Sequence, residues 1–344
     1  MVLNLEEKYK LQTNTSTRRI FLVLLPFLIF IISFYIGPYK IGLKDFFKIL
    51  LLPLSKNQEG LDPMAINMVW IVRFPRILAC LLVGSALALA GACFQSILGN
   101  PLADPYTLGV SNGSAFGAAL AIILSLSIFK VQTLAIIFGI FSIFLTFLMS
   151  AKSKSLSSLI LSGMLVSAFF SSLVSFIKFV ADPFEKLPHI VYWLMGSIAS
   201  IDLKDLQNIL PVYLISLLVI LLYSWRINIL GLGQIQAESF GINAKKDRTI
   251  IIFAASVITA LSVSISGIIA WIGIVVPHLA RLLVGNDFRK LGPASISMGA
   301  SFLMVVDNVC RSISAMEIPL GVITGLVGIP MFLYFIRRER KYYD

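Results

Sequence analysis

The stretch that decides the fold is Arg73 to Gly117, RFPRILACLLVGSALALAGACFQSILGNPLADPYTLGVSNGSAFG. Two apolar runs rich in glycine and alanine flank a short turn at Asn100-Pro101-Leu102-Ala103-Asp104-Pro105. In the first run, Gly84, Ala88, Gly91 and Ala92 form a small-residue stripe. In the second, Gly109, Gly113 and Gly117 recur every fourth residue, as on one face of a helix. Such stripes let helix backbones approach closely inside a membrane, so these five glycines read as packing positions. Asp104 is placed to cap the second helix and Pro105 to occupy its first turn.

Outward from this stretch the chain stays apolar. Of 344 residues, 58% are hydrophobic and 13% charged, and the mean hydropathy is +0.92. Soluble domains carry about 45–50% apolar and about 25% charged residues. Continuous runs of about 20 apolar residues predict spanning helices, and the lack of alternation excludes an outer-membrane barrel. The expected class is therefore all-α: a polytopic membrane protein with about ten spans, and one transmembrane domain over residues 1–344. The spans are predicted near 20–37, 76–97, 106–129, 131–150, 157–180, 207–224, 249–265, 267–285, 292–309 and 319–336. The break between the seventh and eighth rests only on Ser264, Ser266 and Gly267. A nine-span reading would put the two termini on opposite sides.

Charge selects ten. Inner segments then hold 17 Lys/Arg against 8 Asp/Glu, net +9, and outer segments hold 11 against 9, net +2, matching the total of +11. The positive-inside bias places the polar N-terminal segment 1–19 and the tail 337–344 in the cytoplasm. Ile20 to Ile36 is long for a signal-peptide core and no A-x-A-like site follows, so it reads as a retained first span. The outer loop 38–75 contains Leu43–Leu54, whose Lys44, Asp45 and Lys48 mix with Phe and Leu in the pattern of an interfacial helix. The loop ends at Arg73-Phe74-Pro75-Arg76, with two guanidiniums at the outer edge.

Several chemistries lack their residues. Almost no ionisable group lies at the centre of a predicted span, against a proton- or sodium-driven carrier whose halves rock around a midplane site. His189 and His278 stand far apart, and there is no H-E-x-x-H or paired intramembrane acid for an intramembrane enzyme. Cys80 and Cys93 are thirteen residues apart on one helix, about 20 Å, too far to bridge, and Cys310 is alone. No metal-ligand spacing and no G-x-x-x-x-G-K-[ST] occurs, so any nucleotide-driven work needs another subunit. Ser167, Ser171 and Ser175, at i, i+4 and i+8 of the fifth span, fit interhelical hydrogen bonding and a weakly polar pathway wall equally well. Within the inner loop 226–248, Gly233 to Gly241 reads as a short helix between glycine turns, either a protruding contact or a plain connector.

Taken in order, these residues resemble the iron-chelate and vitamin B12 class of ABC importer permeases. The resemblance is carried by Arg73-x-Pro-Arg76, Asn100 to Pro105, Leu108-Gly109-Val110-Ser111-Asn112-Gly113, Trp193-Leu194-Met195-Gly196, Gly233 to Gly241, Val276-Pro277-His278-Leu279-Ala280-Arg281, Asp307, Arg311 and Glu317-Ile318-Pro319-Leu320-Gly321. It implies a non-enzymatic transport subunit in the cytoplasmic (inner) membrane, acting as a homodimer. Two ATPase subunits hold ATP and Mg, and a periplasmic or lipid-anchored binding protein delivers the cargo. That cargo is foremost a ferric siderophore or haem, alternatively cobalamin or a molybdate-type oxyanion. It further implies binding-protein docking by Arg73, Arg76 and Arg311, and ATPase coupling by Gln236, Ala237, Glu238, Ser239, Phe240 and Gly241. Ser167, Ser171 and Ser175 would line the pathway. A glutamate often follows the glycine of the coupling segment in this class, whereas Gln234 stands there in this chain.

Overall fold

A computed structural model describes residues 15–52, 60–151, 155–313 and 317–343, with side chains described for 20–334 of these. Among the described residues there is no strand. The helices are α1 (Thr15–Tyr35), α2 (Leu43–Leu50), α3 (Pro63–Asn67), a π-helical turn (Met68–Arg73), α4 (Phe74–Leu98), α5 (Val110–Ile123), α6 (Ile128–Ser150) and α7 (Leu156–Val180). They continue as α8 (Lys186–Leu194), α9 (Leu203–Leu222), α10 (Ser224–Gly231), α11 (Gln234–Ser239), α12 (Ala244–Ser266), α13 (Ile272–Val284), α14 (Phe288–Ile313) and α15 (Leu320–Tyr343). Among the described residues, six stretches are long and apolar enough to cross a membrane: Pro63–Leu98, Ile128–Ser150, Leu156–Val180, Leu203–Leu222, Ala244–Ser266 and Phe288–Ile313. Four shorter apolar helices, Ile20–Tyr35, Val110–Ile123, Ile272–Val284 and Leu320–Tyr334, stand among them.

Local chemistry sets the helix ends. Pro75 directly follows the π-helical turn that leads into α4, and Gly99 closes the helix in the left-handed region at φ 60°. Asp202 and Asp205 make a reciprocal capping box at the start of α9. Asn243 and Ser155 accept backbone N–H groups at the starts of α12 and α7.

α4 is the axle of the bundle, packed by α14, α12 and α13. Its apolar window is 83% buried, as is that of α12, whereas α6, α7 and α9 are only 28–33% buried. The outer three therefore turn most of their apolar surface away from the chain, toward lipid or another subunit. The stripe on α4 works as expected. A Cβ on Gly84 would overlap the Gly299 carbonyl of α14, and one on Gly91 would overlap the Gly273 carbonyl of α13. On α5, Gly113 and Gly117 lie against the Phe138 and Leu134 carbonyls of α6.

Three expectations change. The third stretch is helical only over Val110–Ile123, so Gly109 lies before the helix, at φ 83°, and faces α7 rather than sharing a face with Gly113 and Gly117. Asp104 accordingly does not cap α5; it accepts the Thr107 N–H at 3.0 Å and closes a turn. In the eighth stretch, residues 267–271 are non-helical and α13 begins only at Ile272, after Trp271 at φ 73°. None of residues 267–271 is exposed, as irregular backbone at membrane depth requires. The expected interfacial helix is present over Leu43–Leu50, and the end of its predicted range, 53–54, lies outside the described residues. Segment 1–14, residues 53–59 of the outer loop and the side chains of Arg337 to Lys341 lie outside the described residues.

Candidate functional site

The arginines expected at an outer surface are interior. Arg73, at the end of the π turn, is 2% exposed and donates to the carbonyls of Phe34 at 2.5 Å and Tyr39 at 2.6 Å. The Phe34 carbonyl is one of the orphans at the end of α1, and Tyr39 lies in the loop beyond it. Arg76 is 4% exposed; its Nε meets Asp307 at 2.7 Å and its Nη1 meets Glu317 at 2.6 Å. Arg311, 5% exposed, lies with its Nε 2.9 Å from the second Asp307 oxygen, an ion pair whose angle is too poor for a hydrogen bond. Its other nitrogens reach the Ile36 carbonyl at 3.0 Å, the Ser33 carbonyl at 3.2 Å and the Asn308 side chain. Asp307 is thus a buried anion between two buried cations, tying α4 to α14, with α14 bound in turn to α1. All three guanidiniums are buried in this chain rather than lying at its surface. Each already has acceptors within the chain, so a further carboxylate would have to displace one.

Near this cluster the loop 38–75 is fastened by Tyr39, whose hydroxyl donates to Asp62 at 2.6 Å. That bond and the Met64 N–H hold the Asp62 carboxyl below the usual carboxylate range.

The serine line on α7 divides. Asn112 of α5 donates to Ser167 Oγ at 2.6 Å, so Ser167 works as interhelical glue. Ser171 and Ser175 are exposed on the chain surface, and the Ser175 hydroxyl bonds back to the Ser171 carbonyl at 3.0 Å.

In the loop 226–248, α11 is bracketed by Gly233 at φ 112° and Gly241 at φ 73°. Ala237 is fully buried and seats the helix, while Ile235 and Phe240 stand 78% and 60% exposed. Glu238 and Gln236 are also exposed, and Glu238 accepts from Gln234, one turn earlier, at 2.8 Å. Ser239 bonds back to Ile235 at 3.0 Å. Two ion pairs brace the surroundings. Arg226 of α10 grips Asp247 of α12 at 2.8 Å. Asp287 receives Asn228 at 2.7 Å and Arg289 at 2.8 Å, and these donors hold its carboxyl far below the ordinary range.

Beside α10 opens a cavity of about 520 Å³ lined by Gln95, Asn100, Asn228, His278, Arg281 and Asn286 among others. Arg281 donates to Gln95 at 2.6 Å, and Gln95 donates to the Gly273 carbonyl at 2.9 Å. His278 is buried against the Phe332 ring, whereas His189 is exposed on α8. Cys80, Cys93 and Cys310 are free and buried. No group of three metal-ligating side chains occurs among the described residues. The sequence reading missed the Arg76–Asp307 pairing; its available signal was an aspartate inside an apolar stretch with an arginine at i+4.

Comparisons with known proteins agree on one family. The molybdate import system permease protein MolB of Haemophilus influenzae is 40% identical over 313 residues, 90% of this chain and 92% of that protein. A probable iron chelatin transport system permease of Helicobacter pylori is 39% identical over 270 residues, 78% of this chain and 82% of that one. A solved metal-chelate type ABC transporter in an inward-facing conformation superposes with a TM-score of 0.84, at 38% identity, covering 92% of this chain and 97% of that one. Residues 24–338 match the FecCD transport family, and the chain belongs to it.

Proposed function

We propose that this protein is the membrane permease of an ATP-binding cassette importer for a metal chelate, foremost a ferric siderophore or haem. It works as a homodimer in the cytoplasmic membrane, crosses ten times and keeps both termini inside. The observation that carries the reading is the inner face. A short, rigid helix offers Ile235 and Phe240 to solvent between two glycine turns, on a scaffold pinned by Arg226–Asp247 and Asn228–Asp287. Exposed apolar side chains on a braced knob suit a protein contact that passes motion to the spans. The ATPase subunits that would receive it hold the ATP and Mg; this chain performs no chemistry.

The exposed apolar faces of α6, α7 and α9 support a second copy and lipid as neighbours. Ser171 and Ser175 face outward from the single chain and are assigned to the pathway wall, whereas Ser167 is assigned to packing. A binding protein docks on the outer face. Buried, paired guanidiniums meet its carboxylates only after leaving their own partners, so Arg73 and Arg311 are assigned to holding the outer ends of α1, α4 and α14 together. A second cargo reading, a molybdate-type oxyanion, is favoured by the 40% identity to the Haemophilus molybdate permease; cobalamin stands third. The test is metal analysis of the binding protein purified loaded from native cells, followed by uptake of that cargo. Iron with an organic chelator supports the first reading. Molybdenum replaces it with the second, and cobalt in a corrin with the third.

A further inference from the structure

The start of α15 is held in an unusual way. The Leu320 N–H donates to the Gly196 carbonyl at 2.9 Å and the Gly321 N–H to the Met195 carbonyl at 3.1 Å. First-turn N–H groups of a helix have no partner of their own; here the end of α8 supplies them. Beside this junction the Ser197 N–H donates to the last carbonyl of α12, Ser266, at 2.8 Å. Three glycines make the crossing feasible. A Cβ on Gly196 would overlap the Ile268 carbonyl, one on Gly267 the Trp193 carbonyl, and one on Gly321 the Met195 carbonyl. Three backbones therefore meet with no side chain between them.

Just ahead of the junction, Glu317 reaches across to Arg76 at 2.6 Å. The two acids on Arg76 are not equivalent. Asp307 is 1% exposed and shared with Arg311, whereas Glu317 is 34% exposed. Glu317 binds through one oxygen, and its other oxygen has no hydrogen-bond partner. Removing Glu317 from Arg76 would leave the guanidinium still paired with Asp307. Release therefore strands no buried charge, the condition under which an ion pair can open cheaply.

We infer that Arg76–Glu317 is a latch: it holds the outer end of α15 on the α8 junction and keeps the outer mouth closed, and the mouth opens when Glu317 leaves while Asp307 stays. This rests on the importer reading for its purpose, an outer mouth that must close behind the cargo. The contact itself is a property of this chain.

The experiment uses Thr324→Cys as reporter. Thr324 lies one turn into α15 and is fully buried. The permease in nanodiscs is treated with a bulky hydrophilic maleimide, with the parent chain as blank for its three native cysteines. Glu317→Gln should raise the labelling rate roughly tenfold, the scale of one charge-assisted hydrogen bond. Ser256→Cys, fully buried on α12, must stay protected in the same background. A rate within twofold of the parent, or equal exposure of the α12 reporter, overturns the latch. If Glu317→Gln does not accumulate, Glu317→Asp, which keeps the charge but falls short of Arg76, carries the same expectation. The labelling needs neither nucleotide nor partner, so it can fail while co-purification of an ATPase upholds the importer reading, and the reverse.

Discussion

Replacing Asp307 by Asn tests whether the Arg76–Asp307–Arg311 cluster holds the bundle together. The substitution keeps shape and removes one buried negative charge that faces Arg76 at 2.7 Å and Arg311 at 2.9 Å. Both arginines are about 95% buried, so water cannot replace the lost carboxylate. Breaking a buried ion pair by removing one partner costs about 3–5 kcal/mol. Here two pairs share one acid, so their losses are not additive and the same range applies to the cluster as a whole. Glu317 remains on Arg76, and the Ile36 and Ser33 carbonyls remain on Arg311, which keeps the estimate from rising further. With unfolding entropy scaling with chain length, about 3–5 kcal/mol corresponds to a fall in Tm of about 4–7 °C for a chain of this size. The assay is thermal unfolding in one fixed mild detergent, followed by tryptophan fluorescence. A variant melting within about 1 °C of the parent would refute the argument, because it would mean that Asp307 does not compensate the two buried cations.

Gly91→Ala would force α4 and α13 apart, since the added Cβ meets the Gly273 backbone rather than a movable side chain; we expect about 1–3 kcal/mol of destabilisation or loss of accumulation, read by the same melt. Glu238→Ala and Phe240→Ala should leave chain stability within about 0.5 kcal/mol, because both side chains are exposed, yet sever uptake from ATP turnover in the assembled transporter; retained coupling in both would remove α11 from the contact. Asp287 has its carboxyl held below the ordinary range, so its contribution is complete above the unfolded value of about 4 and fades as pH falls through the lower folded value. Asp287→Asn should therefore flatten part of the acid-side loss of stability in a pH series of melts, and an unchanged acid limb would show that the Asn228–Asp287–Arg289 contact is not coupled to folding.

Much of the architecture is legible in hydropathy alone, because membrane spans are specified by length and apolarity, and Ile128–Ser150 and Leu156–Val180 lie almost where the sequence places them. Close approach was legible too: Gly84 and Gly91 announce a tight contact, although only the fold names Gly299 and Gly273 as the opposite sides. Residues 267–271 escape such reading because they are as apolar as the helices around them. Their non-helical path is imposed by the backbone junction with Gly196 and by Trp271 in the left-handed region, neither of which alters composition. The burial of Arg76 was illegible for a different reason: a charged residue at a predicted membrane edge reads as surface, while its partners lie 231 and 241 positions away. For α11 the order is reversed: the glycine brackets mark the short helix, and the exposure of Phe240 shows which side chain it leaves uncovered.

The central claim, that this chain is the permease of an ATP-driven importer, is tested most directly by purifying it tagged from its native membrane in mild detergent and identifying by mass spectrometry what accompanies it. The account predicts an ATPase carrying a phosphate-binding G-x-x-x-x-G-K-[ST] loop, recovered with the parent chain and diminished with Phe240→Ala. Recovery of the chain alone, with uptake that follows an ion gradient and persists without ATP, would contradict it.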